Sequence, residues 1–187
     1  MTQQMIDRYL AGVLPPRNGE LERMEEIARE EHFPIIGPVV GHFCYQIARL
    51  IGARSIFELG SGYGYSTAWF AQAVRENGGG IVHHTVWDKA LSDRAKDHLS
   101  TLGLMEFVEF HVGEAIQALT GTEGIFDLIF MDIDKQMYPS ALPVIREKLR
   151  RGGVLLVDNM FLGGRMFDPD LSNEQVEGVA ELTRLIR

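Results

Sequence analysis

From Ser55 onward the sequence alternates between short apolar runs and longer stretches with helical spacing. The apolar runs are Ser55–Leu59, Ile81–Trp87, Phe107–Val112, Phe126–Met131 and Val154–Val157. The helical stretches between them are Thr67–Asn77, Lys89–Leu102, Glu114–Leu119 and Tyr138–Leu149. Strict alternation of strand and helix favours parallel strands joined by right-handed crossovers, with helices on both faces of the sheet. We therefore predict an α/β fold with a doubly wound, mostly parallel sheet.

The residues before this alternation are predicted to be helical. Glu20–Glu31 places its apolar residues on one helical face and its acids on the other. A second helix is predicted to begin near Val39 and to end at Gly52, a residue type typical of helix C-termini. A chain of 187 residues is long enough for one domain with a substantial core. We expect a single domain over residues 1–187 with a helical N-terminal segment of about residues 1–52.

The charge balance limits the partners that the chain can bind. A net charge of -8 gives no electrostatic footprint for non-specific binding to nucleic acid or acidic membranes, whereas it suits a small cationic ligand. No apolar run approaches the roughly 18 residues of a membrane helix, and Met1-Thr2-Gln3-Gln4 does not resemble a signal peptide. The single Cys44 cannot form an internal disulfide. We expect a cytoplasmic protein without membrane contact.

A glycine-rich loop, Gly60-Ser61-Gly62-Tyr63-Gly64, follows the first apolar run directly and precedes a helical stretch. Glycines let a backbone turn tightly and approach a ligand closely, and dinucleotide-binding loops are similarly rich in glycine. Here the spacing is G-x-G-x-G, and Glu58 lies two residues before the first glycine. An acid there would not help to bind a pyrophosphate, but it would attract an ammonium or sulfonium. The loop therefore favours S-adenosylmethionine (SAM) over NAD, with a purely structural turn as the third interpretation.

Acidic residues follow the ends of four further apolar runs: Asp88, Glu114, Asp132 and Asp158. Asp88 and Glu114 could simply cap the helices that they precede. However, ligands of parallel sheets bind beyond the carboxyl ends of the strands, where these residues would meet. Four acids on one rim therefore predict an acidic cleft.

Several segments together resemble one known family, the cation-dependent O-methyltransferases of the catechol and caffeoyl-CoA type, in their bacterial branch. The segments are PIIGPVVG, ELGSGYGYS, FMDIDKQMY and VDNMFLGGRMFDP, and the resemblance runs from about Leu14 to the end of the chain. The most specific part is the combination of D-x-x-K after the fourth strand with D-N after the fifth.

The resemblance implies a role for each matching residue. Asp132, Asp158 and Asn159 would be metal ligands and Lys135 the catalytic base. The residues that we expect to contact SAM are Ile36, Glu58, Gly60, Ser66, Trp87, Asp88, Glu114, Ala115 and Asp132. Two carboxylates and an amide oxygen are hard ligands that suit Mg²⁺, with Mn²⁺ and Ca²⁺ as alternatives. A dication there would acidify a coordinated hydroxyl and favour the neutral form of a nearby amine, which could then take the proton.

Two positions depart from the family pattern. Val86 stands where relatives carry an acid that holds the ribose hydroxyls, so Asp88 is a candidate substitute, with Trp87 available near the adenine. The chain also ends in a predicted helix, Gln175–Arg187, where relatives continue into an antiparallel hairpin. Without that hairpin the strand Val154–Val157 would be an exposed edge, which is an aggregation liability. We therefore expect a homodimer or a longer native chain.

Three functions are consistent with these features. The first is a SAM- and cation-dependent O-methyltransferase acting on a small molecule with adjacent hydroxyls. The second is a tRNA 5-hydroxyuridine methyltransferase, because the N-terminal YLAGVLPPR and ELERMEEIAREEHFPII resemble the bacterial branch that contains such enzymes. The third is a non-catalytic SAM-binding protein, suggested by Val86 and the short C-terminus and opposed by the presence of all four metal and base residues.

Overall fold

A five-stranded sheet forms the centre of the protein in a computed structural model, which describes residues 3–168, 170–171 and 173–187. The strands are β1 (Ser55–Leu59), β2 (Ile81–Val86), β3 (Val108–Val112), β4 (Phe126–Met131) and β5 (Leu149–Val157). Their order is β3-β2-β1-β4-β5, and every neighbouring pair is parallel. The predicted doubly wound parallel sheet is confirmed.

Helices cover both faces of this sheet. They are α1 (Gln3–Val13), α2 (Gly19–Glu31), α3 (Gly37–Leu50), α4 (Tyr65–Glu76), α5 (Lys89–Thr101), α6 (Ala115–Gly121), α7 (Tyr138–Lys148) and α8 (Glu174–Leu185). One apolar cluster joins α2, α3, α4 and α5 to the first face, and a second joins α6, α7 and α8 to the other. Helix α1, which contacts α3, lies in the segment of about residues 1–52 that was expected to be helical, although its bounds were not predicted.

The strand order reverses between β1 and β4, so the crossovers leave this point in opposite directions. The two strands remain in contact beyond their ends, where the Asp132 amide donates to the Leu59 carbonyl at 2.8 Å. Gly60 follows at a φ of 87°, and a Cβ at this position would lie 2.3 Å from the Asp132 carbonyl oxygen. Only glycine permits this approach. The diverging crossovers leave a crevice at this switch point, which is the usual ligand site of such sheets.

The fifth strand begins earlier than the apolar pattern indicates, at Leu149 instead of Val154. Its first part pairs with β4 at Phe126, and the register then shifts before Leu128. Arg150 stabilises this irregular part, because its Nε donates to Asp127 Oδ1 at 2.6 Å. A charged and glycine-containing segment carries no apolar signal, so the prediction for the start of this strand was wrong.

Within the described part of the chain, β5 pairs only with β4 and is therefore an edge strand, as expected. The residues Val154–Val157 are half-buried. The homodimer that would cover this edge remains a prediction. No helix among the described residues has both the length and the apolar character needed to cross a bilayer.

Helix α8 packs against the short 3-10 turn Lys135–Met137, which follows β4. The contact is close at Gly178, where a Cβ would lie 2.3 Å from the Lys135 carbonyl oxygen. The C-terminal helix therefore supports the segment that carries Lys135.

We expect Gly178→Ala to lower the free energy of unfolding by about 1–3 kcal/mol, because the added methyl must push α8 away from the turn. Chemical denaturation measures this change. Gly121→Ala in α6 is the matched control, since nothing lies within 4 Å of its added Cβ. The control should be neutral or stabilised by up to about 1 kcal/mol. Equal stability of the two variants would contradict the close packing at Gly178.

Candidate active site

A cavity of about 920 Å³ opens at the carboxyl ends of the strands. Its walls are formed by the α2–α3 link, the glycine loop and the residues at the carboxyl ends of the strands. The Lys135–Met137 turn, the segment that leads to α8 and the start of α8 complete them. The predicted site residues that line it are Ile36, Gly60, Ser66, Trp87, Glu114, Ala115, Asp132, Lys135, Asp158 and Asn159. The fold thus brings together residues that are spread over more than a hundred positions of the sequence.

Glu58 and Asp88 do not line this cavity. Glu58 is completely buried beneath the glycine loop. Asp88 is exposed and caps α5, because its side chain accepts from the Ala90 amide at 2.7 Å. This geometry favours the capping interpretation of Asp88, and the predicted SAM contacts of both residues remain predictions.

Glu58 belongs to a buried polar network with Thr67 and His84. The Thr67 hydroxyl lies 2.5 Å from Glu58 Oε2 and 3.0 Å from His84 Nδ1. Burial lowers the pKa of His84 to about 3, so its ring is neutral. When Glu58 is ionised, Thr67 donates its one proton to the carboxylate, and Nδ1 of His84 then carries the ring proton and donates to Thr67. His84 Nε2 is then unprotonated, and it has no hydrogen-bond partner among the described residues.

Burial raises the pKa of Glu58 to about 7, although the hydroxyls of Ser66, Thr67 and Ser61 oppose the shift. Burial beneath the glycine loop thus disfavours the ionised form of Glu58 relative to the protonated form. Its Oε1 has no hydrogen-bond partner in the described part of the chain.

Lys135 and Asp132 form an ion pair on the wall of the cavity. The Lys135 Nζ donates to Asp132 Oδ1 at 2.7 Å and to the Ile133 carbonyl at 3.2 Å, and it lies 5.0 Å from the centre of the Tyr138 ring. The Lys135 side chain is only 11% exposed, whereas that of Asp132 is 31% exposed. The amine is therefore held at a fixed position beside the open part of the cavity.

Asp158 and Asn159 follow β5 beside Asp132. The Asp158 amide donates to the Met131 carbonyl at 3.0 Å, which keeps the ends of β4 and β5 together. Burial raises the pKa of Asp158, and the nearby Asp132 charge raises it further, while Lys135 lowers it. Asn159 has a φ of 57°, an uncommon conformation that asparagine adopts more readily than most residues. The group combines two carboxylates, an amide and an ammonium.

The other strand ends provide a mixed apolar and polar wall. Glu114 caps α6 with both carboxylate oxygens, which accept from the Ile116 and Gln117 amides at 2.9 and 2.6 Å. Val86, the residue that departs from the family pattern, is buried and lines the cavity. Trp87 is 68% exposed, so one side of its indole is free to pack against a ligand.

The cavity also contains residues that sequence reasoning missed. Tyr65 lines it, and its hydroxyl donates to Glu25 of α2 at 2.8 Å, so α2 is bound to the glycine-loop helix. Arg165 and Gln175 contribute from beyond β5, with Arg165 Nη2 donating to the Gln175 side chain at 3.4 Å. Tyr65 and Arg165 lie within segments that carry the family resemblance, but the resemblance implied no role for them, and Gln175 lies outside those segments.

Comparison with known proteins identifies this arrangement. Residues 57–160 match the profile of a family described as a methyltransferase domain. The chain belongs to this family. That match includes the glycine loop, Asp132, Lys135 and the end of β5, and most of the residues that line the cavity lie within it.

Two relatives and one solved structure show which kind of methyltransferase the chain resembles. A catechol O-methyltransferase of Niastella koreensis is 28% identical over 98% of this chain and 85% of the relative. A putative O-methyltransferase of Mycolicibacterium smegmatis is 32% identical over 81% of this chain and 72% of the relative. The O-methyltransferase TomG of Streptomyces achromogenes, solved in complex with SAM, superposes with a TM-score of 0.87 at 29% identity, over 99% of this chain and 86% of that chain. The protein is a SAM-dependent O-methyltransferase, which confirms the predicted enzyme class and methyl donor.

The buried carboxyl of Glu58 predicts a pH dependence of stability. Its pKa is about 7 in the folded state against an ordinary value of 4.5, so the folded state binds the proton more tightly than the unfolded state. Stability from this group is complete below about pH 4.5 and is lost as the pH rises towards 7. Between pH 4.5 and 7.5 the wild type should therefore lose about 3 kcal/mol more unfolding free energy than Glu58→Gln does. The difference arises because each pH unit between the two pKa values changes the free energy by roughly 1.4 kcal/mol.

Denaturant titrations at both pH values measure this difference. Glu30→Gln, which changes an exposed glutamate of α2, should follow the wild-type dependence. Parallel curves for the wild type and Glu58→Gln would show that Glu58 does not titrate in this range.

Proposed function

We propose that this enzyme transfers the methyl group of SAM to a hydroxyl of a small catechol-like acceptor and that it needs a divalent cation. The observation that carries the proposal is the group formed by Asp132, Lys135, Asp158 and Asn159 beside the glycine loop. This group joins a hard oxygen donor set to a positioned amine at the rim where the methyl donor is expected to bind.

The residues present fit a divalent cation such as Mg²⁺. Asp132, Asp158 and Asn159 offer only oxygen ligands, which hard cations prefer. Asp158 has a raised pKa because it is half-buried beside another acid. A cation held between the two carboxylates would remove this unfavourable interaction.

In the proposed reaction SAM, the cation and the protein's own residues would each have a separate role. SAM supplies an electrophilic methyl group, and a bound cation would acidify a coordinated acceptor hydroxyl. Lys135 Nζ would accept the proton of that hydroxyl as the new bond between oxygen and methyl carbon forms and the bond between carbon and sulfur breaks. A cation on Asp132 would compete with the ammonium for this carboxylate, which favours the neutral amine. The glycine loop and the α2–α3 link would align the methyl group with the acceptor oxygen.

The chemistry of the cavity supports a small hydroxylated acceptor. A volume of about 920 Å³ is large enough for SAM together with a molecule of one or two rings. The acids around it repel phosphate groups, which disfavours tRNA as the acceptor. We also propose that the enzyme acts in the cytoplasm and as a homodimer, in which a second copy would cover the edge strand β5.

Methyl transfer from labelled SAM to a panel of catechols tests the proposal. Activity should be lost when a chelator is added and should return with Mg²⁺, Mn²⁺ or Ca²⁺. Lys135→Ala should slow turnover by roughly 10²–10⁴-fold, because the positioned base is lost, while cation binding is retained. Asp158→Asn should raise the cation concentration that is needed for half-maximal activity.

Lys96→Ala is the matched control, since Lys96 also pairs with an aspartate but lies on α5 outside the cavity. Its turnover should equal that of the wild type. Full activity in chelator would exclude the cation, and an unchanged rate for Lys135→Ala would exclude the base. Methylation of total tRNA from cells lacking this protein, with no transfer to any catechol, would favour the tRNA alternative.

The apolar Val86 predicts that SAM binding can be improved. A glutamate at this position would restore an acceptor for the ribose hydroxyls, and a hydrogen bond to a charged group stabilises by about 1.5–3 kcal/mol. We expect Val86→Glu to tighten SAM binding by roughly 10-fold or more, as measured by calorimetry. Val86→Gln is the matched control and should give a smaller gain. Unchanged or weaker binding by Val86→Glu would mean that the ribose does not lie beside the end of β2.

A further inference from the structure

Two histidines and a glutamate lie together on one face of strands β2 and β3. His83 is in register with Glu109, and two positions further along the ladder Thr85 is in register with His111. Residues two apart on a strand share a face, so His83, Glu109 and His111 all point towards α6. The adjacent His84 points to the opposite face, in the network with Thr67.

The ligand atoms of this trio are close enough to share one ion. His83 Nδ1 lies 3.0 Å from His111 Nε2. Glu109 brings Oε2 to 3.8 Å from His83 Nδ1 and Oε1 to 3.5 Å from His111 Nε2. Two nitrogens bound at about 2.0–2.1 Å to one tetrahedral metal are separated by roughly 3.3 Å, so the imidazoles need to move apart by only about 0.3 Å.

The surroundings hold the two rings in place. The His83 and His111 rings stack at 5.3 Å between centroids, and Phe57 packs against both, at 5.7 and 5.9 Å. Burial lowers the pKa of His83, so its ring is neutral and able to bind a cation. Glu109, in contrast, has a side chain that is 58% exposed and can adjust to a ligand.

The trio faces its own cavity of about 470 Å³. The rest of this cavity is lined by Ala118, Gly121, Thr122 and Glu123, from α6 and the residues after it. Among the described residues it shares no lining residue with the active-site cavity. The space beside the nitrogens is therefore sufficient for an ion and for the water molecules that would complete its coordination.

We propose that His83, Glu109 and His111 form a binding site for a divalent transition-metal ion of the Zn²⁺ type, separate from the active site. Two imidazoles and one carboxylate are ligands that Zn²⁺, Co²⁺ and Ni²⁺ prefer, whereas Mg²⁺ prefers oxygen alone. An ion bound here would link β2 to the edge strand β3. We expect the site to be structural, because among the described residues its cavity and the active-site cavity have no lining residue in common.

Titration of Zn²⁺ against a chromophoric chelator tests the proposal, with excess Mg²⁺ present to saturate the oxygen ligands of the active site. We expect the wild type to bind one Zn²⁺ with a dissociation constant in the micromolar range or tighter. Glu109→Gln and His111→Gln should each weaken this binding by at least roughly 10-fold. Zn²⁺ should also raise the thermal unfolding midpoint of the wild type and not that of Glu109→Gln.

His32→Asn is the matched control, because His32 is an exposed histidine in a left-handed conformation that asparagine tolerates. It should bind Zn²⁺ as the wild type does. Glu109 is exposed, so Glu109→Gln keeps the test valid if His111→Gln does not fold. Absence of a tight Zn²⁺ site in the wild type, or wild-type affinity in Glu109→Gln, would overturn the proposal. The titration uses no methyl acceptor, so neither result bears on the proposed methyl transfer.

Discussion

The close contact between the glycine loop and the end of β4 is the constraint on which the site depends. Gly60 approaches the Asp132 carbonyl to a distance that a side chain would prevent, and Asp132 donates its amide to Leu59. The loop expected to hold the methyl donor is thereby fixed against the strand end that carries Asp132 and leads to Lys135. Methyl transfer is chiefly a problem of alignment, so a rigid link between these two segments is worth more than either segment alone.

A buried acid supports this link from below, at a cost in stability. Glu58 is desolvated, and one of its oxygens lacks a hydrogen-bond partner among the described residues, although Thr67 and His84 satisfy the other side of the network. A core selected only for stability would contain an apolar residue at this position. Polar groups that remain buried despite such a cost are concentrated at functional sites.

The sequence was sufficient for the fold and for one side of the site. Strand and helix alternation predicted the parallel sheet, and the acids after successive strands predicted which rim carries the cleft, because both are properties of local segments. Arg165 and Gln175 were not predicted, since both lie beyond β5, where tertiary packing and not a local pattern brings them to the cavity. The trio of His83, Glu109 and His111 was also missed. Its members face one another only in the observed register of β2 and β3, and a slip by one residue would move Glu109 and His111 to the other face.

The cavity has two parts, and the residues that line them come from different regions of the chain. The α2–α3 link, the glycine loop and the ends of β2 and β3 surround the space expected for the methyl donor. The ends of β4 and β5, together with Leu162, Arg165 and Gln175, surround the remaining space. Residues of the second group come later in the chain, and several lie on an irregular segment, which tolerates substitution better than a strand does. Acceptor preference could therefore change through this segment, while the loop, Asp132 and Lys135 keep the geometry that the proposed transfer would require.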